Sequence, residues 1–301
     1  MVTVMSDQFK SGFVALVGRP NVGKSTLLNR LVGQKVAIMS DKPQTTRHKI
    51  HSVVTRPDAQ VIFLDTPGIH KPRHRLGEYM VEVALGALKE VDVVFFLVEC
   101  KEPGPGDGYI TGQLKGLATP VFLVMNKIDL VEKDTLLSLI EIYRHMYSFA
   151  EIIPVSALTG DNLPRLMDLV VGYLPAGPKY YPDEMITDRP ERFIMAELIR
   201  EKVLHLTSQE VPHSVAVVVE AVEEKKNGLV VVRAVIYTER ESQKRILIGR
   251  GGQMLKEVGR QARQEIEALL GSRIFLDLWV KVRPDWRNRT AALHDLGYSL
   301  H

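Results

Sequence analysis

The residues with the clearest chemical potential are Gly18, Arg19, Pro20, Asn21, Val22, Gly23, Lys24, Ser25 and Thr26. The first eight spell G-x-x-x-x-G-K-[ST], the pattern of a loop that cradles phosphate. Its glycines let the backbone curl until successive N–H groups face phosphate oxygens. A helix that starts at the loop's end adds unpaired donors and a positive dipole. Lys24 is placed to reach the β and γ phosphates, and the Ser25 hydroxyl to hold Mg²⁺. An apolar run, Phe13–Val17, comes before the loop and reads as a buried strand, while Thr26–Leu31 after it reads as the first turns of a helix.

Three further motifs follow apolar runs in turn. Asp65-Thr66-Pro67-Gly68 follows Val61–Leu64. Asp65 there can bind Mg²⁺ through its water shell, and the Gly68 N–H can meet a γ phosphate and sense its loss. Asn126-Lys127-Ile128-Asp129 follows Val121–Met125 and selects the base. Guanine offers two donors on one edge, and the two oxygens of Asp129 can accept both, as in a bidentate pair. Adenine offers no such pair and would leave the carboxylate unsatisfied. Asn126 would tie this loop to the phosphate loop, and the Lys127 stem would cover the base. Ser156-Ala157-Leu158 follows Ile152–Val155, where small residues let a backbone N–H approach the guanine O6. Between the first helix and the next strand, the polar, proline-containing stretch Ser40–His48 reads as a mobile loop. A threonine in it can complete the metal shell, and Thr46 is preferred over Thr45. This loop and Ile69–His74 are the expected switches, ordered by γ phosphate. Lys24, Thr46 and Gly68 are thus the candidate catalytic groups, and Ser25, Thr46 and Asp65 the candidate metal ligands.

Positioning these motifs takes a particular scaffold. Apolar runs at Phe13–Val17, Val61–Leu64, Val91–Val98, Val121–Met125 and Ile152–Val155 alternate with segments whose apolar residues recur every three or four positions. That alternation predicts a mostly parallel sheet covered on both faces, with ligands at the carboxyl ends of its strands. The chain has 301 residues, 45% hydrophobic and 25% charged, enough for two domains with sizeable cores. The net charge of +3 is too small to prove a polyanionic partner. The single cysteine, Cys100, excludes a disulfide framework within the chain, reads as a buried small hydrophobe, and points to a cytosolic setting. Met1–Gly12 has no apolar core of a leader, and no run approaches the ~18 apolar residues that span a bilayer. The nine histidines lack ligand spacing, so no zinc site is expected.

Leu174–Pro182 carries three prolines and a glycine, which disfavour helix and central strand alike. A boundary near residue 178 divides the chain into 1–178 and 179–301. The second part reads as helix (189–206), strand (214–222), Asn-Gly turn, strand (229–237), helix (242–247), Gly249-Arg250-Gly251-Gly252, helix (253–270) and strand (274–282). A G-x-x-G loop between two helices is the backbone clamp of a KH domain. From Arg240 to Arg263 there are seven basic residues and two acidic ones, the footprint that single-stranded backbone needs. Lys244, Ile248, Gly249, Arg250, Gly251, Gly252, Lys256 and Trp279 are the candidate RNA-binding residues. A second basic cluster (Lys281, Arg283, Arg287, Arg289) interleaves with Trp279 and Trp286. Either tryptophan could stack on a base, and core packing is the expected role of at least one.

Together G-R-P-N-V-G-K-S, Q-T-T-R-H, D-T-P-G, N-K-I-D and S-A-L resemble the five boxes of a translation-factor-class small GTPase over residues 12–175. Residues 180–301 resemble a KH domain of the prokaryotic type. The two in this order, with L-W-V-K-V, resemble the Era family of GTPases over nearly the whole chain. The resemblance implies an α/β phosphate-loop GTPase domain with a mostly parallel sheet, then an α+β KH domain. It implies hydrolysis of GTP to GDP and phosphate with Mg²⁺, binding to the 3′ end of 16S rRNA, and assistance to small (30S) ribosomal subunit assembly, with no DNA partner. It also implies a cytoplasmic protein with peripheral association at the inner membrane face. One position departs from the Ras-like pattern: Ile69 stands where a glutamine would orient water. Slow intrinsic hydrolysis is therefore expected, and no general base is assigned. Related GTPases with an asparagine at the place of Asn21 use a monovalent cation, and K⁺ is the expectation here. Two rivals stand beside this reading: a passive RNA binder with a near-inactive nucleotide domain, and a GTPase acting at the membrane or on cell-cycle proteins.

Overall fold

The computed structural model describes residues 8–42, 44–72 and 74–299. Pro43 and Arg73, in the two expected switches, lie outside the described residues, as do the first seven residues of the stretch searched for a leader. The chain forms two compact units. One holds the chain up to Ala37, Thr46–Lys71 and Met80–Asp188; the other holds Ile38–Thr45, Pro72–Tyr79 and the chain from Arg189 onward.

The first unit is built on a six-stranded sheet. Its strands in chain order are β1 (Lys10–Gly18), β2 (Ile50–Thr55), β3 (Ala59–Asp65), β4 (Val93–Glu99), β5 (Val121–Asn126) and β6 (Glu151–Val155). In space the order is β2-β3-β1-β4-β5-β6. All neighbours are parallel except β2 and β3. The helices α1 (Lys24–Val32), α2 (Arg75–Ala87), α3 (Pro105–Leu114) and α4 (Lys133–Arg144) lie between successive strands, and α5 (Leu163–Tyr173) follows β6; the start of α2, up to Tyr79, falls in the second unit. Strands buried on both faces carry near-continuous apolar runs, because side chains alternate between two cores. Val14, Leu16, Phe63, Phe95 and Phe122 enter the core shared with α1 and α5. Ala15, Val17, Ile62, Leu64, Phe96 and Leu123 enter the other, which α3 and α4 help to cover.

The sequence reading missed β2. It sits at the sheet edge, is short, and carries His51, Ser52 and Thr55. The proline-rich segment after α5 is ordered by this sheet. Ser11 N donates to Pro175 O at 3.1 Å and Gly177 N to Phe9 O at 3.0 Å. Buried Gln60 accepts from the Tyr180 and Tyr181 N–H groups and donates to Tyr181 O and Thr55 Oγ1. Val53 N donates to Ile186 O, so the segment also pairs with β2.

The second unit contains α6 (Glu191–Leu206), α7 (Val211–Ser214), β7 (Ala216–Glu224), β8 (Val230–Thr238), α8 (Glu241–Ile248), α9 (Gln253–Leu270), β9 (Ile274–Val282) and α10 (Thr290–Asp295). A single 3-10 turn, Arg250–Gly252, separates α8 from α9. β7 and β8 form an antiparallel hairpin across the Asn227-Gly228 turn, and β9 returns parallel to β8 as an edge strand. The helices pack over one sheet face through Ile199, Val203, Val232, Ile236, Val258 and Ile266. Ile38–Thr45 is held in this unit by α6. Met39 N donates to Glu201 Oε1 at 2.8 Å, His205 Nε2 donates to Met39 O at 2.8 Å, and buried Arg200 donates to Thr45 O.

Candidate nucleotide site and nucleic-acid groove

The phosphate loop leaves the end of β1 and runs straight into α1. Lys24 is buried at the first position of the helix, and its Nζ donates to the carbonyls of Gly18 (3.2 Å) and Arg19 (3.0 Å). Burial pushes its ammonium down to about 8, against the opposing pull of Asp65. Asp65 ends β3 and is fully buried. Burial pushes its carboxyl up to about 6, while Lys24 and the hydroxyls of Ser25 and Thr46 draw it down. Three oxygen donors converge here: Ser25 Oγ lies 3.0 Å from Thr46 Oγ1 and 3.1 Å from Asp65 Oδ2, and Thr46 Oγ1 donates to Asp65 Oδ2 at 3.2 Å. Asp65 Oδ1 is buried without a hydrogen-bond partner. Hard oxygen donors around one buried carboxylate suit Mg²⁺, which keeps several waters and takes few protein ligands. Among the described residues no group of three or more His, Cys, Asp or Glu side chains is placed to hold a metal ion.

Close approach explains two glycines. A Cβ on Gly68 would lie 2.8 Å from Pro20 N, so only glycine lets the Asp65–Gly68 turn sit against the phosphate loop. A Cβ on Gly23 would lie 2.2 Å from Asn126 Nδ2, which donates to Val22 O at 2.9 Å. Thr66 Oγ1 donates to Leu16 O at 2.7 Å and locks the same turn to β1. Pro67 is buried within it.

The candidate base-reading residues gather at the ends of β5 and β6. Asn126 Oδ1 accepts from Ala157 N at 2.9 Å, which joins the two loops. Ser156 Oγ donates to Asp129 Oδ1 at 2.6 Å and fixes the carboxylate while leaving it exposed to a ligand. Lys127 Nζ donates to Asn21 O at 3.0 Å, across to the phosphate loop. Leu158 differs from its neighbours in standing 73% exposed. Arg19 also differs. Its Nε lies 2.9 Å from Oδ1 of fully buried Asp107, which also accepts from Gly104 N, so the guanidinium braces α3 against the loop. Thr26 is partly buried in the first turn of α1. Ile69 is buried and its N donates to Gly18 O, so no water-orienting amide stands there. Burial, then the nearby Asp129 and Glu99 charges, push the Cys100 thiol up to about 11, which removes it as a nucleophile.

In the second unit, a groove of about 500 Å³ opens between α9 and β9, lined by Leu255, Lys256, Arg263, Phe275, Leu276 and Leu278. Gly252 lines its mouth. The groove was missed in the sequence, although Gly252, Lys256, Gly259 and Arg263 recur at helical spacing on one face. Gly249 and Gly252 play different parts. A Cβ on Gly249 would meet Met254 N at 2.9 Å, so this glycine closes the turn on the chain itself, whereas the space at Gly252 is open. Ile248 is partly buried against the core, and Arg250 and Gly251 are exposed at the turn. Among the described residues Lys244, Arg250, Lys256 and Arg263 face no carboxylate at salt-bridge distance, whereas Arg260 is taken by Glu257.

The second basic cluster is largely neutralised within the fold. Lys281 pairs with Glu220, Arg283 with Asp295, and Arg287 with Glu239. Trp286 is fully buried, donates to Ser214 O at 2.9 Å and stacks on Tyr298. Trp279 is 60% exposed but alternates with Leu278 and Val280, which face the helices. It therefore shares the open sheet face with Phe275, farther along β9, and is not among the residues that line the groove.

A family model described as a 50S ribosome-binding GTPase matches residues 13–127, and a KH domain model matches 210–287. The chain is 56% identical over 292 residues to the GTPase Era of Staphylococcus haemolyticus (strain JCSC1435), covering 97% of this chain and 98% of that protein. It resembles the crystal structure of an Era in complex with MgGDPNP and nucleotides 1506–1542 of 16S ribosomal RNA. The TM-score is 0.94, with 45% identity over 97% of this chain and 100% of that one. A variant of Aquifex aeolicus Era bound to GDP and AlF4⁻ matches with the same score, identity and coverage. A phosphate loop and N-K-I-D at the ends of parallel strands, a KH domain later in the chain, and 56% identity over 97% of its length lead to one assignment: the chain is a GTPase and belongs to the Era family.

Proposed function

We propose that this GTPase is a Mg²⁺-dependent RNA-binding switch that binds 16S rRNA near its 3′ end and assists assembly of the small (30S) ribosomal subunit. A nucleotide domain (1–178), against whose sheet 179–188 pack, binds GTP and GDP, and a KH domain (within 179–301, its compact unit resuming at Arg189) binds single-stranded RNA. Ser25, Thr46 and Asp65 would hold Mg²⁺, which supplies positive charge to the phosphate oxygens when bound. Lys24 and the backbone at Gly68 contact the γ phosphate, and Asn126, Lys127 and Asp129 orient the base. The observation that carries the reading is the groove beside the G-x-x-G turn in a chain that also holds the three-oxygen site. An Era of the same fold was crystallised with MgGDPNP and 16S nucleotides together, which supports it.

The buried Ile69 favours slow intrinsic hydrolysis. K⁺ near Asn21 would then contribute charge, and turnover should be faster in KCl than in NaCl at matched ionic strength. The protein would act in the cytoplasm, with peripheral contact at the inner membrane face; no helix among the described residues is long and apolar enough to cross a membrane. The test is binding of a single strand from the 16S 3′ end against a scrambled strand at fixed salt, with cofractionation on free 30S particles and on membranes. Selective binding and 30S cofractionation support the proposal. Equal binding of both strands, or a membrane-only distribution, contradicts it.

A further inference from the structure

Glu99 ends β4, 28 residues before Lys127, and neither the phosphate loop nor the base-reading motif includes it. Its side chain is largely buried, at 17% exposure. Oε1 accepts from the Lys127 ammonium, and Oε2 lies 3.0 Å from Nζ of exposed Lys101. The Lys127 ammonium also donates to Asn21 O in the phosphate loop. Lys127 is held at φ 70, a left-handed conformation that strains a non-glycine residue. Its long side chain therefore leaves a strained backbone and ends on two fixed acceptors. A lysine anchored only at Asn21 O would keep much of its rotamer freedom. The adjacent Cys100 N donates to Asn126 O, so the Glu99 backbone is itself tied to the base-reading loop.

We propose that Glu99 is a positioning residue for the guanine nucleotide: it pins the Lys127 ammonium to the phosphate loop and so lays the lysine stem across the base plane. This rests on the nucleotide site assigned above. The two cations hold the Glu99 carboxyl below its usual range despite its burial, so it stays ionised at working pH. An ionic hydrogen bond of this kind is stronger than a neutral one, and its loss would free the lysine without touching any group that meets phosphate.

The test is the dissociation rate of a fluorescent GDP from wild type, Glu99→Gln, Lys127→Ala and the double variant. Glu99→Gln should release GDP about tenfold faster. The double variant should be no faster than Lys127→Ala, because Glu99 acts through the lysine. Glu99→Asp, which keeps the charge, should return the rate to within about threefold of wild type. A Glu99→Gln rate within about twofold of wild type contradicts the proposal, as does a double variant whose effect is the product of the two singles. A purely structural role would give that product. If Glu99→Gln melts lower, the Glu99→Asp arm decides: release as fast as in Glu99→Gln overturns the inference. Failure of wild type to bind GDP would instead overturn the nucleotide site itself.

Discussion

Lys24 and Asp65 are charged groups held away from water, and their pKa values move toward each other. Asp65 rises from 3.8 to about 6. A carboxyl whose folded pKa lies above its unfolded value contributes stability below the unfolded pKa and loses it as pH rises through the folded one. In metal-free, nucleotide-free protein, wild type should therefore lose stability relative to Asp65→Asn between pH 3.8 and about 7, by roughly 3 kcal/mol at most. Chemical denaturation of both proteins across that range checks this. A flat or opposite trend contradicts it. The same pair makes the functional prediction sharp. Lys24→Ala should abolish nucleotide binding and leave RNA binding measurable, whereas unchanged GTP affinity in calorimetry would remove Lys24 from the site.

Elements explain which parts of this account the sequence made legible. Strands β1, β3, β4 and β5 were visible because both of their faces are buried, which makes their apolar runs nearly continuous. α9 and β9 were read to the residue, since glycines bracket the helix. β2 escaped because an edge strand next to a polar loop shows little periodicity, and α7 and α10 because they are four and six residues long. The Arg19–Asp107 and Glu99–Lys127 pairs join distant positions, and no local pattern reports them. The groove was hidden for a similar reason: β9 supplies one wall, and Phe275 follows α9 only after a turn. Because Phe275 lines that groove and Trp279 does not, Phe275→Ala should weaken RNA binding more than Trp279→Ala in an anisotropy titration. The reverse order would place the bases farther along β9, beside Trp279. Lys256→Glu should weaken binding across sequences and lower the salt slope by about 1 or more. Trp286→Ala, which empties a fully buried site, should cost roughly 3–5 kcal/mol of stability in the second unit.

At the scale of the whole molecule, the segment before Thr46 matters most. Ile38–Thr45 is held by α6 through Glu201, His205 and Arg200, and the next residue, Thr46, belongs to the three-oxygen site with Ser25 and Asp65. A change at that site is therefore one peptide bond from a segment that belongs to the second unit. Arg200→Ala should reduce the influence of nucleotide on RNA affinity while GTP affinity itself changes little. Linkage requires the influence to be reciprocal: the factor by which GTP changes RNA affinity must equal the factor by which RNA changes GTP affinity. The most direct test is the affinity for a short single strand from the 16S 3′ end with GDP bound and with a non-hydrolysable GTP analogue bound, at fixed salt. Tighter binding in the GTP form, confined to the true sequence, is the expected result. Equal affinity in the two forms would show that the two units share a chain and no energetic coupling, and would contradict the switch.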